Sequence, residues 1–357
     1  MSFPLWTPVR DIPLLPFFTF SVTWSDYLSW AVLMTFFTSI LVYQITLNKI
    51  SLRLFLGSLL VLLIQDQLRW QPWIYMYILM LLPFGFINKN NPEKIKNYLQ
   101  LILIAVYFWG GIHKMHPNFI TSTFSSIFGT YFYFLDESTL KGYLFVGYLL
   151  PVTEIAIAVF LIIPKLRSTG VQLAIISHIF IMAYLGPWGI DFNRIVLPWN
   201  LAMVILVFTL FADKKRISIV GFNSVKKHWF YHGAFILLYL LPILNAFGKW
   251  DHYLSFSLYS NKAPHFYVAS EYNSFGTFTA STETFIKKMQ PLSGNGYLDI
   301  NTWCMSSLKV PFYPEERVFK QFAKHFCNTD PNPDKLLFIT KQPTWNDEII
   351  TSFYCKD

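Results

Sequence analysis

Long apolar segments follow one another between Tyr27 and Phe247, and they limit what this chain can fold into. A helix needs roughly 20 apolar residues to cross the hydrocarbon core of a bilayer, and several of these segments approach that length. The chain is 54% hydrophobic and only 13% charged, whereas soluble domains carry about 25% charged residues. The pattern predicts an all-α polytopic membrane bundle.

Hydropathy predicts about eight transmembrane helices, which together form a transmembrane domain over residues 27–249. The preceding segment, residues 1–26, contains several prolines and Asp11. This composition disfavours a cleavable signal peptide, and we expect the segment to lie at the membrane surface. The predicted spans are Tyr27–Ile45, Leu52–Ile64, Trp73–Ile87, Tyr98–Ile112, Tyr143–Ile163, Gly170–Leu185, Ile195–Phe211 and Phe230–Phe247.

Basic residues are concentrated in alternate loops between the predicted spans. The positive-inside rule places these loops in the cytoplasm, and it places both termini and the loop after Lys114 outside. The net charge of +8 thus reflects topology, and nucleic-acid binding is not expected. The residues after Trp250 contain no N-x-[ST] site, which favours a bacterial inner membrane over the secretory pathway. The basic loops contain Lys49, Arg53, Lys89, Lys94, Lys96, Lys165, Arg167, Lys214, Lys215, Arg216, Lys226 and Lys227.

The last part of the chain, residues 250–357, is polar and rich in proline and contains no further apolar span. We predict that it forms a small extracytoplasmic α+β module. The Pro-Glu-Glu sequence at 314–316 is typical of a helix start, because proline fits the first turn and acids favour the N-terminal dipole. We expect this helix to reach about Phe326. Leu336–Thr340 and His265–Ala269 have the composition of short strands.

All three cysteines, Cys304, Cys327 and Cys355, lie in this predicted module. An extracytoplasmic compartment allows one disulfide and leaves one thiol over, and we favour the pairing of Cys327 with Cys355. A metal site is not expected, because the cysteines show no CxxC-type spacing.

Two ionisable residues interrupt predicted spans. Glu154 lies within an apolar segment that continues for two turns beyond it, and His178 lies midway through the next span. Such groups are costly in hydrocarbon, so each needs a partner. They therefore form either a satisfied buried pair or a proton relay that contacts a ligand.

Polar residues also lie at the ends of two spans. Gly110–Gly111 favours close helix packing or a bend. His113, Lys114 and His116 follow it and are either an interfacial cluster without chemistry or part of a site. The polar run Asp66–Arg69 at the end of the second span is either an interfacial cap or the rim of a ligand site.

The ordered set of these residues resembles a known membrane family. Val106–Met115, V-Y-F-W-G-G-I-H-K-M, resembles a span of the vitamin K-dependent γ-carboxylase and its HTTM relatives that reads approximately V-Y-F-x-A-G-x-K-K-L. Asp66–Tyr77 looks like the carboxylase pattern D-x-x-x-W-x-x-H-x-Y-x-Y, with Trp73 in place of the histidine. An acid and a histidine then follow in the next spans, matched by Glu154 and His178.

The resemblance implies a lyase that uses a reduced, vitamin K-like quinone as cofactor. In the family, the second lysine of the K-K pair acts as a neutral amine and removes a proton from the quinol, so the implied base is Lys114. Glu154 and His178 would orient groups or relay protons, and the site would open to the extracytoplasmic side. The implied substrate-binding residues are Asp66, Arg69, Trp70, Trp73, Tyr77, His113 and His116.

A second hypothesis involves no catalysis. The chain would then be a DoxX-like or HTTM-like membrane scaffold whose outer module binds an envelope or secreted protein, and its buried polar residues would be structural. Under both hypotheses the lipid bilayer is a partner, whereas a quinone or lipid ligand is expected only for the first.

Overall fold

The computed structural model describes residues 2–18, 25–86, 92–187, 189–190, 196–213, 229–271, 295–330 and 333–356. These residues form two compact units. The composite unit combines Met1–Gln71 with Ala263–Asp357, and the helical unit comprises Pro72–Lys262. Several residues used above to predict topology lie outside the described residues, namely Lys89, Lys214, Lys215, Arg216, Lys226 and Lys227.

This grouping differs from the predicted boundaries at residues 26 and 249. The first two long helices belong with the C-terminal module, and the chain up to Lys262 belongs with the remaining helices. Hydropathy identifies apolar segments, but it carries no information about which of them pack together, so it could not have separated the first helices from the rest.

The composite unit begins with a short helix, α1 (Phe3–Trp6), followed by two long helices, α2 (Asp26–Thr46) and α3 (Lys49–Gln65). α2 and α3 pack against each other across a tight connection. Leu47 there adopts a left-handed conformation, and the side chain of Asn48 caps α3 by accepting a hydrogen bond from the N–H of Ile50.

The helical unit is built around one helix, α5, and the core cluster of buried side chains in this unit is centred on it. α5 packs against α4, α8 and α10. A π-helical turn, Phe119–Phe124, follows it, and a 3-10 segment, Leu144–Tyr148, joins α7 to α8. α11 continues through further helical turns to Phe247. The helices are α4 (Pro72–Phe86), α5 (Pro92–Lys114), α6 (Ser125–Tyr131), α7 (Glu137–Tyr143), α8 (Leu149–Ile162), α9 (Arg167–Leu185), α10 (Val196–Phe211) and α11 (Trp229–Phe235).

The C-terminal module contains a four-stranded antiparallel sheet in the order β2-β1-β3-β4. Two helices, α12 (Ile300–Ser307) and α13 (Glu316–Thr329), accompany it. The predicted helix and both predicted strands are confirmed as α13, β1 and β3, and β2 and β4 were not foreseen. The strands are β1 (His265–Glu271), β2 (Asn295–Asp299), β3 (Leu337–Pro343) and β4 (Glu348–Tyr354).

Aromatic stacking forms the core of this module. The ring of Phe266 on β1 stacks on Phe319 of α13, with 4.7 Å between ring centroids, and also on Phe338 of β3. A disulfide joins Cys327 to Cys355, the pair favoured from the sequence, and thereby ties the end of α13 to the end of β4.

The prediction of about eight transmembrane helices is not supported. Among the described residues, four helices are long and apolar enough to cross a membrane: Asp26–Thr46, Pro92–Lys114, Glu137–Ile162 and Arg167–Leu185. The other apolar helices are shorter, and α3, with 17 residues, begins with Lys49 and contains Arg53. An apolar segment can be buried by protein as well as by lipid, so hydropathy overcounts spans; α5 itself is 72% buried within the protein over its most apolar window.

Candidate functional site

The centre of the candidate site is an ion pair between α5 and α8. The Nζ atom of Lys114 lies 2.7 Å from both Oε1 and Oε2 of Glu154. The two side chains are 12% and 18% exposed. Lys114 is therefore the partner that Glu154 needs within its apolar helix. The two residues are 40 positions apart in the sequence, and the packing of α5 against α8 brings them into contact.

Two glycines bring the helices close enough for this contact. A Cβ atom on Gly111 would lie 2.8 Å from the carbonyl oxygen of Pro151 and 2.7 Å from Cγ1 of Ile155, both on α8. A Cβ atom on Gly110 would lie 3.2 Å from Oε2 of Glu154. The Gly110–Gly111 pair thus permits close packing of α5 on α8, as small residues do at helix interfaces.

The ion pair limits what Lys114 can do as it stands. A lysine that donates to a carboxylate is an ammonium group and has no free lone pair, so it is not a base.

A chain of hydrogen bonds lies beside the pair. Nδ2 of Asn200 donates to the carbonyl of Val196, so Oδ1 of Asn200 accepts from Nδ1 of His178 at 2.7 Å. The neutral imidazole of His178 then carries its proton on Nδ1, and Nε2 accepts from the hydroxyl of Tyr107 at 2.7 Å. Glu154 is within electrostatic range of both Tyr107 and His178. The predicted residues Lys114, Glu154 and His178 are thus brought into one neighbourhood.

The sequence reasoning missed Tyr107 and Asn200. Asn200 is an amide inside the apolar helix α10, and the argument that singled out His178 applies to it equally. Tyr107 precedes Lys114 by seven residues, which places both on one face of α5.

The ring of His113 is also buried in the helical unit. It stacks on Trp109, one turn earlier in α5, with 5.9 Å between ring centroids. Nε2 of His113 has no hydrogen-bond partner among the described residues. His116 is buried too, and its Nδ1 accepts from the N–H of Asn118.

A polar segment after α11 approaches this end of α5. A backbone group of Ser255 hydrogen-bonds the ring of His113, and Lys262 and His252 interact with it electrostatically. The Nζ atom of Lys262 donates to Oδ1 of Asn245 at 2.9 Å, and burial lowers the pKa of Lys262. The sequence reasoning assigned residues after 249 to the outer module and so missed this segment, although its polar residues directly follow a predicted span.

Three predicted substrate-binding residues belong to the composite unit. Asp66 forms an ion pair with Arg10 at 2.8 Å and accepts from the N–H groups of Leu15 and Leu68. The guanidinium of Arg69 donates to backbone carbonyls that include Leu5, Trp6 and Leu62, and Trp70 donates to the carbonyl of Leu63. These contacts hold the N-terminal segment in place and use the polar groups of Asp66, Arg69 and Trp70 within the protein.

Burial changes the acidity of Arg69. It lowers the pKa of the guanidinium to about 10, and the attraction of Asp66 opposes this effect. The guanidinium remains charged at neutral pH, and its hydrogen bonds are directed at protein carbonyls.

The remaining predicted residues, Trp73 and Tyr77, lie four residues apart on α4 in the helical unit and therefore share a face of the helix. Both are half-buried, and Tyr77 packs against the core cluster around α5.

Among the described residues, no group of three or more His, Cys, Asp or Glu side chains is arranged to hold a metal ion. Comparisons of the chain with models of protein families, with curated proteins and with solved structures gave no match.

Proposed function

We propose that this protein is a membrane enzyme of the carboxylase-like type, in which the helical unit carries a quinol-dependent acid–base site. The observation that carries the proposal is the contact of Lys114 with both carboxylate oxygens of Glu154. These two residues and His178 occupy the positions that the family resemblance implies for the base and its partners, and they come from three separate helices of one unit.

The pair acts by exchanging a proton. Glu154 takes a proton from the ammonium of Lys114, and the neutral amine then removes a proton from a weakly acidic hydroxyl group. The hydrogen bonds among Tyr107, His178 and Asn200 fix the orientation of the imidazole beside the pair. The quinol supplies the reducing power for the reaction with oxygen. The residues present suit such a ligand, because the Lys114–Glu154 pair holds an exchangeable proton within a largely apolar unit.

Membrane placement is part of the proposal. Four described helices have the length and composition of membrane spans, and a bilayer would cover their exposed apolar side chains. The disulfide between Cys327 and Cys355 supports an oxidising compartment for the C-terminal module. We therefore place this module on the extracytoplasmic side of a cell membrane, in agreement with the distribution of basic loops.

The test is oxidation of phylloquinol, a reduced vitamin K, by purified protein in lipid nanodiscs under air, corrected for the rate without protein. Lys114→Ala and Glu154→Gln should lower the rate by roughly a hundredfold or more, as expected for loss of an acid–base group. Lys141→Ala is the matched control, because it removes a lysine from an exposed ion pair with Glu137. Absence of oxidation by the wild-type protein, or an undiminished rate in Lys114→Ala, would exclude the proposal.

One observation favours the scaffold function as an alternative. β4 is the last strand of the described sheet, and the apolar side chains of Trp345, Ile349 and Ile350 are exposed beside or on it. Such an edge can add an extended segment of a secreted or envelope protein as a further strand. The scaffold function predicts no quinol oxidation by the wild-type protein, and it predicts that Ile350→Lys abolishes partner binding without lowering thermal stability.

A further inference from the structure

We infer that Nε2 of His113 binds a hydroxyl group of the ligand, at a subsite formed by the end of α5 and the segment 251–262. This inference rests on the proposed function and adds to it the residue that receives the ligand. Lys114 and Glu154 exchange protons in that function, whereas the role of His113 is to accept a hydrogen bond.

His113 is 4% exposed, and its Nε2 atom is shielded from solvent without a hydrogen-bond partner among the described residues. Buried polar atoms in native proteins are satisfied with few exceptions, and an exception calls for an explanation such as a bound water or ligand.

The N–H of Ser255 already donates to the carbonyl of Asp251, so the backbone group that Ser255 offers to His113 is its carbonyl. A carbonyl accepts, and Nε2 has no partner, so Nδ1 is the donor and carries the proton. In the neutral ring Nε2 then has a lone pair and is an acceptor.

The groups that interact with His113 electrostatically are Lys262, His252 and Lys114, and Lys114 is itself paired with Glu154. These surroundings favour an oxygen atom with negative partial charge, and the free acceptor on His113 requires a hydrogen. A carboxylate has a negative oxygen but no hydrogen to donate. A phenolic hydroxyl, as in a hydroquinone, has both a partly negative oxygen and a hydrogen.

Phe256, Tyr259 and Asn261, in the segment that contacts His113, have left-handed backbone conformations with φ of 54°, 51° and 49°. A left-handed conformation is unfavourable for bulky residues such as Phe and Tyr, and strained backbone of this kind is concentrated at ligand clamps and switch segments.

The experiment compares two probes that differ only in their hydroxyl groups. Menadiol and its dimethyl ether are titrated anaerobically into the purified full-length protein, and tryptophan quenching reports binding. The wild-type protein should bind menadiol about tenfold more tightly than the ether, the difference expected for one hydrogen bond to a buried acceptor.

Two variants locate the acceptor. His113→Asn retains an N–H that can donate to Ser255 and removes Nε2, and the shorter amide places no acceptor where Nε2 was, so it should bind both probes equally. His325→Asn changes a histidine of the composite unit and should retain the tenfold preference. Thermal melting checks that the variants fold. The comparison of menadiol with its ether on the wild-type protein tests the inference even if a variant does not fold.

Each outcome is decisive. If His113→Asn retains the tenfold preference, the inference is wrong and the proposed function survives. Equal binding of both probes by the wild-type protein also overturns the inference alone. If the wild-type protein binds neither probe, the proposed quinol site fails and the inference fails with it.

Discussion

Two clusters of charge differ in where their hydrogen bonds go. One comprises Arg10, Asp66 and Arg69 in the composite unit and is fully buried, and the other comprises Lys114 and Glu154 in the helical unit and is partly buried. In the first cluster the guanidinium of Arg69 is directed at backbone carbonyls. In the second, Lys114 hydrogen-bonds only to Glu154 among the described residues.

This difference separates an anchor from a candidate site. The charges around Asp66 are fixed by main-chain groups that cannot change protonation, so the cluster holds the N-terminal segment in one position. Lys114 and Glu154 are both ionisable, and the ammonium has one N–H donor beyond the two directed at the carboxylate. Burial of a charged residue therefore does not identify function by itself, whereas unused hydrogen-bonding capacity points towards it.

The largest effect is expected for the anchor. Arg69→Ala removes the donor to several buried backbone carbonyls and the cation 3.7 Å from Asp66, and it should lower the free energy of unfolding by about 3–5 kcal/mol. Thermal melting of the purified protein measures this loss. A melting temperature close to that of the wild-type protein would show that the anchor is not structural.

A smaller loss is expected where α5 meets α8. Gly111→Ala places a Cβ atom against Pro151 and Ile155, and the resulting overpacking should cost about 1–3 kcal/mol. It should also slow quinol oxidation by moving Lys114 away from Glu154. Gly57→Ala in α3 is the control, since a Cβ atom there meets nothing within 4 Å. A stabilising Gly111→Ala would contradict the close packing.

The ion pair itself should show coupling in a double-mutant cycle. Lys114→Met leaves the carboxylate of Glu154 without a partner, and we expect a loss of about 2 kcal/mol, because the pair is only partly buried. Glu154→Leu should act similarly. The double variant should melt close to the wild-type protein, since two apolar side chains can replace a buried pair. Additive losses in the double variant would exclude a direct interaction.

A still smaller effect is expected for Tyr107→Phe. It removes the donor to Nε2 of His178, which should cost about 1 kcal/mol. The hydrogen bond of His178 to Asn200 remains. An unchanged melting temperature would mean that another group, such as water, can satisfy the imidazole.

The smallest effect should come from an exposed charge. Hydrogen bonds from the side chains of Ser138 and Thr139 hold the pKa of Asp136 below its usual value. A lowered folded-state pKa stabilises the protein above the unfolded value and does so less as pH falls. Asp136→Asn should therefore lower the melting temperature slightly at pH 7, and the difference should shrink as the pH falls below the ordinary value of 3.8. A difference that is independent of pH would contradict this.

The sequence predicted those features that local pattern determines. The start of α13 follows from proline and two acids, and the need of Glu154 for a partner follows from its apolar helix. The identity of that partner depends on how closely α5 and α8 approach, which only the packing of Gly110 and Gly111 reveals. The predicted number of membrane spans is not supported because it also depends on packing: apolar composition does not distinguish a helix buried by protein from one that faces lipid.

Other features had no local signal. Arg10 lies in an irregular, proline-rich segment, so its ion pair with Asp66 could not be read from spacing. The approach of Ser255 and Lys262 to His113 also arises from tertiary contacts of a segment without helical periodicity. Asn200 was the exception, because an amide within an apolar helix could have been recognised.

The most direct test of the central claim is the rate of phylloquinol oxidation by the double variant Lys114→Met, Glu154→Leu in nanodiscs. This variant should fold and melt close to the wild-type protein, so a change in rate cannot be ascribed to unfolding. If Lys114 and Glu154 exchange protons with a ligand, the stable double variant should oxidise no quinol above the rate without protein. A wild-type rate from this variant would show that the pair is structural and would contradict the account.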